Sequence, residues 1–168
     1  MGLIILIGAL FISVTQITIS DDVSGDGLFI NNTSAIQAVI YVPLEDGKKI
    51  VPGMDAQISP LTIEKDEYGY ISGKVASVSS WPLSTQMVAM HLNNSELADH
   101  FTKTVGEAPF EVTITLLHDS SNPADYLWSD LVQDPVKISP GVPCHGIIVI
   151  KTKKILSLII PGLKSLAP

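Results

Sequence analysis

AVIYVPLEDGKKIVPGMDAQISPLTI, residues 38–63, holds two runs of strand-forming residues, Ala38 to Val42 and Asp55 to Ser59. A charged segment ending in Val51-Pro52-Gly53-Met54 joins them. Proline presets φ for the first central position of a type II turn, and glycine takes the positive φ of the second without a Cβ clash. Pro52-Gly53 is therefore predicted to re-aim the chain into the second strand. The same chemistry recurs at Ile138-Ser139-Pro140-Gly141-Val142, ahead of the apolar run Gly146 to Ile150. Pro52, Gly53, Pro140 and Gly141 are the candidate structural turn residues.

Outward from this stretch the pattern remains that of strands. Ala35 to Val42 is the first clear strand. Tyr70 to Ser79 alternates, with Ile71, Gly73, Val75 and Ser77 on one face, and Gly73 marks a bulge or the close approach of another strand. Phe110 to Leu117 places Phe110, Val112, Ile114 and Leu116 on one face. Met87 to Leu92 reads as a further short strand. Asn94 or Ser95 then caps a helix over 96–103, with Leu97 and Phe101 facing inward. Val23 to Asn32 reads as a glycine-rich turn at Gly25 and Gly27, a short apolar piece and a loop at Asn31 and Asn32. His118 to Asp134 has no period and is a long loop, which Trp128 is expected to pin to the rest of the domain. Ile155 to Ile160 is too short to cross a membrane and reads as a last strand or a membrane-proximal helix.

The chain has 168 residues, room for one ordinary domain with a core. Its 46% hydrophobic and 16% charged residues, with a mean hydropathy of +0.36, point toward membrane attachment. All 10 basic residues are lysine, and the net charge is −7. Without arginine the chain lacks the forked donor used on phosphates and guanine, so nucleic acid is not an expected partner. Lys151, Lys153, Lys154 and Lys164 lie in a tail without acidic side chains. That tail is read as a solvated cluster first and as a contact for anionic lipid second.

Met1 to Ile19 carries no charged residue. As a helix it would be about 28 Å long, close to the ~30 Å hydrocarbon core. Val14 to Ile19 alternates and also fits a strand. A signal peptide is disfavoured by the missing basic flank before Leu3 and the missing small-x-small cleavage site. The resulting division is a single-pass anchor over 1–20, a linker with a short strand over 21–37, and one domain over 38–168. A span that opens at Met1 without a cytoplasmic flank also suggests a truncated chain start.

No catalytic, metal or cofactor constellation emerges. His91, His100, His118 and His145 show no paired metal-ligand spacing. Cys144 and His145 are adjacent, so on a strand they point to opposite faces, poor geometry for a nucleophile and its base. Cys144 reads as a small core residue. Glu64, Asp66 and Glu67 are interleaved with Lys65 and read as a solvated loop, and Gly25-Asp26-Gly27 precedes no helix that would hold a phosphate. The expectation is a non-enzymatic protein with no cofactor.

The run Tyr41 to Met54, continued by Ile58-Ser59-Pro60 and by Glu67 to Val75, resembles the HlyD-like secretion proteins. More narrowly, it is similar to the adaptor of bacteriocin-type peptide export systems. Tyr126-Leu127-Trp128-Ser129, Ile138-Ser139-Pro140-Gly141 with Cys144, and Leu158-Ile159-Ile160-Pro161 add to the likeness, which covers roughly Ala38 to Leu166. The resemblance implies a small six-stranded antiparallel barrel; with the one short helix and the N-terminal transmembrane helix read above, the expected fold is mainly β, the barrel following the span. It also implies a homo-oligomeric adaptor anchored in the inner (cytoplasmic) membrane, its barrel on the periplasmic side, partnered by an ABC-type peptide exporter. In that family two lipoyl-like half-motifs and a coiled-coil hairpin lie between the span and the barrel; here Val23 to Thr33 leads almost directly into the barrel. The alternative is a stand-alone anchored β-domain that binds a ligand or cell-envelope component, and a third reading is a small hydrolase using His145 or Cys144.

Overall fold

A computed structural model describes residues 18–32, 35–63, 68–122, 125–130 and 136–154. The chain divides into two compact units, Val23–Ile150 and a second made of Met1–Asp22 with Lys151–Pro168. The strands are β1 (Thr18–Asn32), β2 (Ala35–Val42), β3 (Asp55–Pro60), β4 (Ile71–Val78), β5 (Phe110–Leu116) and β6 (Pro143–Lys154). They close into an antiparallel barrel in the order β1-β2-β5-β4-β3-β6, and the pairs that join β1 to β2, β2 to β5, β5 to β4, β4 to β3 and β3 to β6 lie in the first unit. Closure leaves no free edge strand among the described residues.

Strand alternation sets the wall. β5 buries Phe110, Val112, Ile114 and Leu116 and leaves the residues between them half-buried, as its sequence period requires. Phe29, Ile40, Ile58, Ile71 and Ile148 meet them inside the barrel, all fully buried. Each such side chain contributes about 1.5–3 kcal/mol by leaving water. Gly73 lies against β5, where a Cβ would stand 2.7 Å from Ile114 Cγ2, while the bulge of β4 falls two residues on, between Val75 and Ser77.

Both Pro-Gly turns are present, and each hooks onto a neighbouring strand in the same way. Gly53 has φ 92° and Gly141 φ 86°, and Met54 N–H and Val142 N–H donate back across their turns to Val51 and Ser139 at 3.3 Å. Gly53 N–H donates to the Val75 carbonyl at 2.8 Å, and Val75 N–H donates to Met54 at 2.9 Å. At the second turn Gly141 N–H donates to Phe29 at 2.7 Å, and Phe29 N–H donates to Val142 at 3.0 Å. One turn thereby ties the start of β3 to β4, and the other ties the start of β6 to β1.

The long connection after β5 folds back as a strap. Ser72 N–H donates to Leu127, Leu127 N–H to Leu117 and Ser129 N–H to Tyr70, each at 2.8 Å. Trp128 bridges Ile71 and packs on the core, so it holds this loop to the barrel.

Three readings of the sequence are corrected. Gly25 and Gly27 do not make a turn; they lie inside β1, which runs unbroken to Asn32 and pairs with β2 from Asp26↔Tyr41 to Asn32↔Ala35. A Cβ at Gly27 would overlap the Val39 carbonyl oxygen, and one at Gly25 the Tyr41 carbonyl oxygen. These glycines serve close packing of two strands, a signal that looks like a turn in sequence. Met87 to Leu92 is not a strand but most of helix α2 (Thr85–Leu92), which follows α1 (Leu44–Gly47). Ser84 caps α2 by accepting from Met87 N–H at 3.3 Å, and Val88 is buried with Ala89 and Leu92 partly so, the i, i+1, i+4 stripe of a helix. Instead of one short helix there are three among the described residues, the third being α3 (Ser95–Val105). Asn94 caps it as expected, accepting from Glu96 and Leu97 N–H at 3.0 and 3.1 Å.

Helices α2 and α3 form an insertion between β4 and β5 that covers the outer face of β1 and β2. Leu83, Val88, Ala98 and Phe101 pack there against Leu28, Val39 and Tyr41, with the Tyr41 and Phe101 rings 5.4 Å apart. Of the anchor expected over 1–20, residues 1–17 lie outside the described residues, and Thr18 to Ser20 open β1. Among the described residues no helix is long and apolar enough to cross a membrane. The tail read at Ile155 to Ile160 also lies outside them.

Gly27→Ala drives a methyl group into backbone and is expected to cost more than about 3 kcal/mol, whereas Gly53→Ala, with open space around it, costs about 1–2 kcal/mol for its φ alone. Urea midpoints of the two variants should differ accordingly. Phe101→Ala empties the outer core and is expected to lose about 3 kcal/mol, read from the same titration.

Candidate functional site

Directly opposed residues on an antiparallel ladder point to the same side of the sheet. Three such pairs and one side-chain contact place a row of polar side chains across the outer wall. Ser59 on β3 faces His145 on β6, and His145 Nδ1 lies 2.6 Å from Asp26 Oδ1 on β1. Asp26 is opposite Tyr41 on β2, and Tyr41 is opposite Glu111 on β5. The Tyr41 hydroxyl donates to Glu111 Oε2 at 3.1 Å, and His91 Nδ1, from α2, reaches the same oxygen at 2.9 Å.

The members of this row differ in weight. His145 and Asp26 are 35% and 30% exposed, and His91 is 49% exposed, so solvent screens both pairs and each adds at most about 1 kcal/mol. Tyr41 is fully buried beneath the helices. Burial, then the Glu111 charge and hydrogen bond, push its phenol well above the ordinary tyrosine range, so it stays a neutral donor. A hydrogen bond from a buried group to a carboxylate is worth about 1.5–3 kcal/mol. The Tyr41–Glu111 bond is therefore the energetic centre of the row, and it sits where the insertion meets the barrel.

Cys144 is buried in the barrel core, while its neighbour His145 pairs on the outer wall. Burial, and then the charge of Asp26, push the Cys144 thiol up to about 12, which suppresses the thiolate that nucleophilic chemistry needs. His118 stacks on Tyr126 at 5.0 Å in the strap, and His100 lies beside Phe101 at 5.7 Å on α3. His100 and His118 thus lie apart from the row that holds His91 and His145. Among the described residues no group of three or more His, Cys, Asp or Glu side chains is placed to hold a metal ion. Glu64, Asp66 and Glu67 lie outside the described residues. Reading the sequence missed the row because its members, at 26, 41, 59, 91, 111 and 145, share no local spacing.

No protein-family model and no curated protein matches this chain.

Tyr41→Phe is expected to cost about 1–2 kcal/mol near neutrality. The raised folded-state value means that above about pH 10 the unfolded phenol ionises while the folded one keeps its proton, so stability is intact below that pH and falls as pH rises. Urea titrations from about pH 8 to pH 11.5 should show a shallower alkaline loss in Tyr41→Phe than in the parent chain. Cys144 is expected to resist an aromatic disulfide reagent in the native protein and to react stoichiometrically once urea unfolds it.

Proposed function

We propose that this chain is the membrane-anchored, non-enzymatic adaptor subunit of a peptide secretion system. In this reading it works beside an ABC-type exporter, with the barrel on the periplasmic side of the inner membrane and several copies side by side. The observation that carries the reading is the agreement between two independent features. Of the residues that resemble HlyD-like secretion proteins, Tyr41 to Met54, Ile58-Ser59-Pro60 and the Ile71 to Val75 part of Glu67 to Val75 fall on the end of β2, α1 with the first hook, β3 and β4. Those elements build the wall of a closed six-stranded antiparallel barrel, the architecture that the resemblance implies. A barrel without free edges also suits a domain that stands beside copies of itself without strand exchange.

The alternative, a stand-alone anchored β-domain that binds a ligand or envelope component, draws on a different observation. The helical pair within the barrel unit has 8 and 11 residues, about 12 and 16 Å of helix. That is far short of a hairpin reaching an outer partner.

Membrane fractionation followed by crosslinking and affinity purification distinguishes the two. The adaptor reading expects the chain in the membrane fraction, crosslinked to itself and co-purifying with a peptide exporter. Recovery from membranes with neither self-crosslinks nor a transporter favours the stand-alone domain, and recovery in the soluble fraction alone overturns both.

A further inference from the structure

We draw no further inference here: the strongest candidate, the exposed apolar side chains Trp81, Met87 and Met90 on the helical insertion between β4 and β5, carries nothing because nothing in the structure shows what covers them.

Discussion

Strand β2 is apolar on both faces, and that one constraint shapes the domain. Ala38, Val39, Ile40, Tyr41 and Val42 are all buried, although alternate residues of a strand point in opposite directions. Ala38, Ile40 and Val42 are served by the barrel core, whereas Val39 and Tyr41 need a second layer. The α2–α3 insertion supplies it. Bare, the outer face of β2 would hold two large apolar side chains in water, at a cost of about 1.5–3 kcal/mol each. The insertion is thus as much a part of the fold as the strands, and its polar contact with the wall, through Tyr41, Glu111 and His91, follows from the same strand.

The two Pro-Gly hooks solve a different problem, the alignment of strands that are distant in sequence. β3 and β6 are antiparallel neighbours, so the turns that precede them lie at opposite ends of the barrel. Each presents a glycine N–H and the following carbonyl to a single residue of an adjoining strand, Val75 in one case and Phe29 in the other. Because both turns use the same backbone pattern, the same residue pair serves twice. A β-branched residue in place of either glycine would be forced into a positive φ and would shift the hook it anchors.

Much of this was legible along the chain. The alternation of Phe110 to Leu116, the cap at Asn94, the turn chemistry at Pro52-Gly53 and Pro140-Gly141 and the pinning role of Trp128 are each stated by a few neighbouring residues. The misread segments share a cause: their signals depend on partners elsewhere. Gly25 and Gly27 resemble a turn until β2 is laid beside them. Met87 to Leu92 has no alternation to favour a strand, and its helical stripe becomes visible only once Leu28 and Val39 show which face is covered.

By itself the sequence determined where most strands begin and end, that Gly53 and Gly141 take positive φ in their turns, and that Cys144 is a core residue. These are local consequences of backbone sterics and of period-two hydrophobicity. Tertiary structure alone decided the strand order, the seating of α2 and α3 on β1 and β2, and the row that brings Ser59, His145, Asp26, Tyr41, Glu111 and His91 across one wall. The physical reason is that strand pairing and side-chain contact join residues as far apart as Asp26 and His145. No local propensity encodes such a distance; it appears only when the barrel closes.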